Sequence, residues 1–561
     1  MTRLRLFRAG RAAATLLLLA ACARAGAPPS ATATDAARVR AEARGAAPRP
    51  ATRAERSRYL ETSRHADVVA FLDTLARLDG RLYVTSLGRT TEGRDIPLVV
   101  ASRPRVATPA EARALGRPVV WVQGNIHAGE VEGKEALQML LRDLALDPRP
   151  NVLDSLVLLA VPIYNADGNE GVGPQARQRS EQNGPELVGQ RPNAQGLDLN
   201  RDYMKAEAPE TRASLAAFAA WDPDAFVDLH TTNGSYHGYA LTWSPSLHPA
   251  APLRAFNQDT LLPALQRRVR ERHDVATFPY GNFALEYGAD VNADTTKQGW
   301  FTYDHRPRFG TNYYGLRGRL SVLSEAYSHD PFETRVRATY AFVGELLSEL
   351  AALGADASSR HARFRGASTE GALRAQLTER PVVTDVVAED LVRTGDSTRT
   401  QAGVPPGLRR TGRYRTVRIP VHDRFVATRT ARVPAGGWLL DAAAPGADSA
   451  VALLRRHGVE VRHAPGDVPL DVEAFRVDSV VRAARPFQGH REVRLEGTWR
   501  RERRTPADGT WLIRAGQRHA LLALHLLEPE SDDGLAAWNY LDAALAVGRD
   551  YPVVRVHGTA R

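Results

Sequence analysis

The chain has 561 residues, 43% hydrophobic and 25% charged, with 74 Lys and Arg against 64 Asp and Glu for a formal net charge of +10. Four of the excess arginines lie at the extreme amino terminus, and the +6 left on the remainder is too diffuse for a nucleic-acid footprint. A single cysteine excludes a disulfide scaffold, and the length accommodates two domains.

Residues 1–22 read as an export signal. Arg3, Arg5, Arg8 and Arg11 form a basic start, and Ala12 to Ala20, with Leu16 to Leu19 at its centre, form an apolar run. That run is much shorter than the ~20 residues a membrane helix needs. It ends in Leu19-Ala20-Ala21-Cys22, which resembles the bacterial lipobox, where the cysteine is lipidated and becomes the first residue of the mature chain. Cys22 is the only cysteine. The resemblance implies a lipid-anchored protein of the bacterial cell envelope. The outer membrane is the expected address, because Ala23 is not the aspartate that retains lipoproteins in the inner one. Residues 23–52, rich in Ala, Arg, Pro and Thr, read as a flexible tether.

The apolar run Pro118 to Val122 predicts a strand, and Glu135 to Leu141 predicts a helix with an apolar face. Between them stands Asn125-Ile126-His127-Ala128-Gly129-Glu130. At such a strand-to-helix junction His127 and Glu130 can aim an imidazole and a carboxylate at one point, and a catalytic zinc takes three such ligands plus an open position for water. A lone His-x-x-Glu is weak evidence, since a chain with 16 histidines contains about one by chance. A second copy, His457-Gly458-Val459-Glu460 followed by His463, lies between an expected helix end and a strand start, and reads as a surface turn.

The first copy has company downstream. Gly196 to Tyr203 packs Asp198, Asn200 and Arg201 together, and an Asn-Arg pair suits a carboxylate, the guanidinium forking onto both oxygens. Asp224 to Thr232 predicts a strand ending at His230, and Leu320 to Tyr327 a strand ending at Glu325. Open α/β sheets place their chemistry at such strand ends. Thr334 to Leu353 predicts a long helix.

This ordered set resembles the zinc carboxypeptidases related to pancreatic carboxypeptidase A, over about residues 55–350. Gly88 to Ile96 is similar to the early G-x-[ST]-x-x-G-R segment of that family, and Asn165-Ala166-Asp167-Gly168 to its N-P-D-G turn, with alanine for proline. The resemblance implies one Zn2+ per chain, bound by His127, Glu130 and His230, with Glu325 as general base and Asp198 holding a ring nitrogen of His127. It implies Asn200 and Arg201 as a clamp for the terminal carboxylate of a peptide, and Arg179 as the oxyanion-stabilising arginine, with Arg177 and Arg191 as competitors. A mobile tyrosine of the family has Tyr303, Tyr313 and Tyr314 as candidates. The floor of the side-chain pocket is expected within Trp300 to Arg319, and the side-chain preference cannot be read.

Only three lysines, Lys134, Lys205 and Lys297, occur among the 74 basic residues. Two lie four residues after Glu130 and Arg201, which suggests places that demand a compact point charge. Beyond residue 380 the texture changes to short alternating runs such as Thr416 to Val421, Glu492 to Glu496 and Tyr551 to Val556, with one amphipathic helix expected at about Gly534 to Val547. Arg500 to Arg504 reads as a solvated strand face.

The expected fold is α/β, a mixed and mainly parallel sheet flanked by helices, with a β-rich carboxyl-terminal domain. The segments are a signal at 1–22, a tether at 23–52, a catalytic domain at 53–355, a junction at 356–380 and an accessory domain at 381–561. The expected activity is zinc-dependent removal of carboxyl-terminal residues from peptides. The alternatives are an amide hydrolase of acylated amino acids or cell-wall peptides, and a non-catalytic binding protein of the same fold.

Overall fold

Runs of β-branched and aromatic residues that are apolar throughout, rather than alternating, build strands covered on both faces. In the computed structural model, which describes residues 49–283, 299–354, 367–394, 407–466 and 468–558, those runs form the centre of an eight-stranded sheet. The strands are β1 (Leu82–Arg89), β2 (Asp95–Ala101), β3 (Val119–Gly124), β4 (Val157–Val161), β5 (Ala225–Thr231), β6 (Leu241–Pro245), β7 (Thr277–Pro279) and β8 (Leu320–Ala326). Their order is β1-β2-β4-β3-β5-β8-β6-β7. Four pairings are parallel, β4 with β3, β3 with β5, β5 with β8 and β6 with β7, and three are antiparallel. The sheet is mixed and mainly parallel, as expected. The export signal with Cys22, the tether as far as residue 48, Lys297 and most of the first half of the junction lie outside the described residues.

The principal helices are α1 (His65–Leu78), α2 (Glu132–Leu146), α3 (Pro209–Trp221), α4 (Leu262–His273), α5 (Gly310–Leu316) and α6 (Phe332–Leu353). One face of the sheet is covered by α1, α2, α4 and α6, whose Leu72, Leu137, Leu265 and Phe342 share a cluster with Val120, Val227 and Val322. In α2, Glu132 and Glu135 occupy the first turn, where carboxylates complement the helix dipole. Gly133 lets that helix close on β5, since a Cβ there would lie 2.7 Å from the Cβ of Leu229. The opposite face carries α3 and α5, with Phe218 and Tyr314 stacked at 3.9 Å over Trp121 and Phe226.

The carboxyl-terminal third is strand-rich, as expected. Its strands are β9 (Glu370–Leu377), β10 (Val382–Arg393), β11 (Leu408–His422), β12 (Phe425–Arg432), β13 (Gly437–Leu440), β14 (Val461–His463), β15 (Leu470–Arg482), β16 (Val493–Arg504), β17 (Trp511–Ile513) and β18 (Val553–His557). Six of them form one sheet in the order β14-β17-β13-β18-β15-β16, accompanied by α7 (Ala447–Arg456) and α8 (Ala520–Leu527). Arg500 to Arg504 lie on β16, exposed or half-exposed and paired with Asp550, Glu473, Asp471 and Glu502.

The helix expected at Gly534 to Val547 is displaced. The helix of this region is α8, whose Ala-Leu-Leu-Ala-Leu-His-Leu-Leu has no polar face and is buried from Leu521 onward. Residues 534–541 are turns, followed by a short 3-10 segment, Asp542–Ala544. Gly534 lies too close to the His525 carbonyl for a Cβ, 2.7 Å away, and Asn539 takes a left-handed φ of 64°. Burial on all sides hid the real helix from a reading that sought amphipathicity.

Residues 50–561 form one compact unit, and a single apolar cluster runs from Trp121 through Tyr313 to Leu454, Leu524 and Trp538. Two buried polar joints cross it. Arg308 donates to Asp533 from its backbone at 2.6 Å and from Nε at 2.9 Å. His457 accepts from the Tyr313 hydroxyl at Nδ1 (2.7 Å), and its Nε2 donates to the Met204 carbonyl (3.0 Å). A carbonyl can only accept, so the proton sits on Nε2 and the ring is neutral. The second His-x-x-Glu copy is thus a helix-to-strand turn with Gly458 at φ 76°, and Gly458 and Glu460 are exposed as a surface turn requires, but His457 points inward and is 0% exposed.

Burial, with Arg317 nearby, pushes the His457 imidazole down to about 3 from its ordinary 6.5. Between those values the unfolded chain binds a proton that the folded chain refuses. The stability is therefore fully present above pH 6.5 and is lost as pH falls. Urea unfolding from pH 7 to pH 5 is expected to show falling stability, and His457→Gln a slope shallower by up to ~1.4 kcal/mol per pH unit. An unchanged slope would show that this ring does not carry the effect.

Candidate metal centre and cleft

β3 ends at Gly124, and the chain turns through Asn125 at φ 65°. The Asn125 amide donates to the carbonyls of Ala128 (3.1 Å) and Glu130 (3.3 Å), folding the connection into a tight loop. Such side-chain-to-backbone bonds are why asparagine tolerates the left-handed region. The loop points His127 and Glu130 at each other, with Nδ1 of His127 3.0 Å from Oε1 of Glu130. From the end of β5, Nδ1 of His230 lies 3.0 Å from Oε2 of the same carboxylate. Donor atoms of the three side chains all fall within 4.8 Å of one another, and no other such group occurs among the described residues. On β8, Glu325 stands directly across from His230 in the parallel register. All four residues sit at the carboxyl ends of adjacent strands.

Each imidazole is backed by a second carboxylate. Nε2 of His127 is 2.9 Å from Oδ1 of Asp198, and Nε2 of His230 is 3.1 Å from Oδ2 of Asp228. Asp228 was missed in the sequence, although it shares a strand face with His230 two residues on. Burial opposes charge on these groups, yet neighbours reverse it. His127 and Arg179 hold Glu130 well below the usual carboxylate range, and His127, Arg191 and Arg201 do the same for Asp198. Asp228 and Glu130 hold His230 well above its ordinary value. The pocket thus demands positive charge at the point where two nitrogens and a carboxylate converge. This donor set fits a zinc ion, with each outer carboxylate fixing the imidazole that faces the metal position.

The cleft beside these ligands is lined by Arg191, Asn200, Arg201, Thr231, Asn233, Tyr280, Tyr303, Phe309, Thr311, Leu323 and Glu325. Asn200 accepts from the Gly310 backbone at 2.9 Å, and Nη1 of Arg201 donates to the Asn200 carbonyl at 2.9 Å. The Arg201 guanidinium lies 3.9 Å over the Phe309 ring. Asn200 and Arg201 are therefore stiffened by neighbours and both face the cleft.

Two expected positions need correction. Arg179 is not in the cleft wall: Nη1 lies 3.0 Å from Oε1 of Glu130, and Nη2 donates to the carbonyls of Thr231 and Thr232 at 3.2 and 3.1 Å. The arginine in the wall is its competitor Arg191, whose Nε and Nη2 both lie 2.9 Å from Oδ2 of Asp198. The third candidate, Arg177, is exposed on a short helix. Tyr313 is also displaced, 0% exposed in the core and spent on His457 and Arg317, and Tyr314 is stacked on Phe218. Their helix turns both inward, and of the three tyrosines Tyr303 lines the cleft. Two of the three lysines are fully buried among oxygens: Lys134 contacts the Ser63 carbonyl and Asn169, and Lys205 contacts Asp202 (3.0 Å) and Glu207 (3.1 Å).

Removing either outer carboxylate is expected to loosen the metal without abolishing it. Asp198→Asn and Asp228→Asn should each weaken Zn2+ binding about 10–100-fold in competition with a chromophoric chelator. Wild-type affinity in Asp228→Asn would show that this carboxylate does not orient His230.

Residues 68–309 match the zinc carboxypeptidase family model. Carboxypeptidase 2 of Trichophyton rubrum is 28% identical over 173 residues, 30% of this chain, and the match spans only 28% of that relative's length. Carboxypeptidase 2 of Trichophyton tonsurans is 24% identical over 524 residues, 88% of this chain and 86% of its own length. Among solved structures, the metallo-carboxypeptidase of Burkholderia cenocepacia superposes with a TM-score of 0.37 at 21% identity, covering 51% of this chain and 69% of that one. The matching stretch, residues 68–309, contains His127, Glu130 and His230, and through it the chain is similar to the zinc carboxypeptidases.

Proposed function

We propose that the protein is a zinc-dependent metallocarboxypeptidase that removes single residues from the free carboxyl ends of peptides. The observation that carries this reading is that the His127–Glu130–His230 donors, Glu325 and the pair Asn200 and Arg201 all line one cleft. Zinc held by the three donors would lower the pKa of a water to about 7 and polarise the scissile carbonyl. Glu325 takes the proton of the attacking water and passes it to the leaving amine. Arg191, fixed against Asp198, presents its guanidinium to the oxygen that becomes negative as the carbonyl is attacked. Arg179 braces Glu130 from behind. Asn200 and Arg201 receive the terminal carboxylate, which an internal peptide segment lacks.

The remaining wall supports an apolar side-chain preference. Tyr280, Tyr303, Phe309 and Leu323 form one packed cluster in it, with Thr311 beside them. Burial and Glu325 both push the Tyr303 hydroxyl upward, so it stays protonated and neutral. Among the described residues the acids that line the cleft are Glu130 and Glu325, taken up by the metal and the attacking water, so a basic side chain among these rings would be buried without a partner of its own, which is costly. The sequence further supports attachment to the cell envelope by lipid on Cys22, with residues 23–52 as the tether.

The test is a soluble form beginning after the tether, assayed for bound zinc and incubated with paired peptides bearing free or amidated carboxyl ends. Single-residue losses are expected at free ends only, fastest for aromatic and branched aliphatic residues and slow for Lys, Arg, Asp and Glu. Glu325→Gln should lower kcat by at least about a hundredfold while zinc stays bound. Zinc without trimming of any peptide would overturn the reading and favour acylated amino acids or cell-wall fragments. Rapid loss of basic residues would overturn the apolar preference alone.

A further inference from the structure

The hairpin joining β15 and β16 ends in Phe487-Gln488-Gly489-His490. Reciprocal backbone bonds close it, Phe487 N to His490 O at 2.7 Å and His490 N to Phe487 O at 3.0 Å. Both central residues have positive φ, 49° at Gln488 and 83° at Gly489, as in a type I′ turn. The first position of that turn ordinarily takes Asn, Asp or Gly. Glutamine is strained there, and its longer side chain does not stabilise its own turn as asparagine would.

The side chain does something else with its length. Oε1 of Gln488 accepts a hydrogen bond from the backbone N–H of Asp198 at 2.8 Å, across 290 residues of sequence. The tip is held in place from both flanks. Nε2 of His490 lies 2.8 Å from Oε1 of Glu207, and the Phe487 ring lies 5.5 Å from the Arg308 guanidinium.

The N–H that Gln488 engages belongs to the segment from which the carboxylate clamp is built. Upstream, Asn193 ties the loop to itself, its side chain accepting from Gln195 N and Leu197 N, both at 3.0 Å. Downstream, Oδ1 of Asp198 accepts from Asn200 N at 2.9 Å and caps the short turn Leu199–Arg201. Asp198 N is the link between these halves, and its acceptor comes from the carboxyl-terminal third.

We infer that Gln488 is a positioning residue: the carboxyl-terminal hairpin fixes the backbone at Asp198 and thereby the direction of Asn200 and Arg201. The inference rests on the reading of those two residues as the clamp for the substrate's carboxylate. It gives the strand-rich third a part in substrate binding, and it accounts for glutamine at a strained turn position. Strain tolerated at one residue is compensated by a bond made in the site.

The zinc-loaded enzyme and two variants decide it. Gln488→Gly and Gln488→Asn both suit the turn better and neither reaches Asp198. Each should hold or raise the melting temperature while raising KM for free-carboxylate peptides about 3–10-fold, the loss of one hydrogen bond, with kcat within about twofold. Zinc affinity, measured by chelator competition, should stay within about threefold of wild type, since Asp198 keeps its bonds to His127 and Arg191. An unchanged KM with raised melting temperature would make Gln488 a turn residue only and overturn the inference. A fall in melting temperature together with kcat would make its role structural and overturn it too. These outcomes presuppose a wild type that trims free termini. If it trims none, the carboxypeptidase reading fails first and takes this inference with it, so the two failures are distinguished by the wild-type control.

Discussion

The carboxylate of Glu130 is the interaction on which the amino-terminal half of the structure depends. It is 3% exposed, and each oxygen faces an imidazole nitrogen at 3.0 Å. A charge so buried costs several kcal/mol unless it is compensated on every side. The compensation spreads outward in shells: His127 and His230, then Asp198 and Asp228 behind them, then Arg191 on Asp198 and Arg179 on Glu130 itself. No element of this set is stable alone. Together they require strand ends close enough to meet, which the parallel order β3-β5-β8 provides.

The same logic explains why the scaffold around the site is so polar in its interior. Glu132 engages Arg335 at 3.3 Å, and Lys134 and Lys205 are enclosed among oxygens, all without solvent. Arginine is used almost everywhere else in the chain, yet these two enclosures hold the slimmer ammonium, whose three donors radiate from a point. Burial pushes the Lys134 amine down to about 8, so its enclosure tolerates the charge at neutral pH without favouring it.

The carboxyl-terminal third bears on the site through packing and polar joints together. It shares an apolar cluster with α3 and α5, and Arg308–Asp533, Tyr313–His457 and Gln488–Asp198 cross the boundary. Arg308 lies in the loop that leads to Phe309 and α5, so the joint with Asp533 anchors the cleft wall from behind. A tyrosine that by position qualified for substrate contact, Tyr313, instead belongs to this boundary. On a seven-residue helix at the sheet face, its hydroxyl finds a histidine from the other half of the chain.

The sequence by itself determined the elements and the principal donors. Continuous apolar runs ending in polar residues specified β3, β5 and β8, and so put His127, His230 and Glu325 at strand ends, because a strand's direction and its last residue are local properties. Asp198, Asn200 and Arg201 were legible for a similar reason, being held within one short segment. Which arginine reaches the cleft was not legible: Arg179 and Arg191 are both flanked by loop residues, and only the long-range positions of Glu130 and Asp198 separate them. Asp228 behind His230, the burial of His457, the inward turn of Tyr313 and the reach of Gln488 were likewise decided by tertiary structure. Each depends on a partner between 2 and about 290 residues away, and a side chain's partner across space is set by packing of the whole chain, not by its neighbours in sequence.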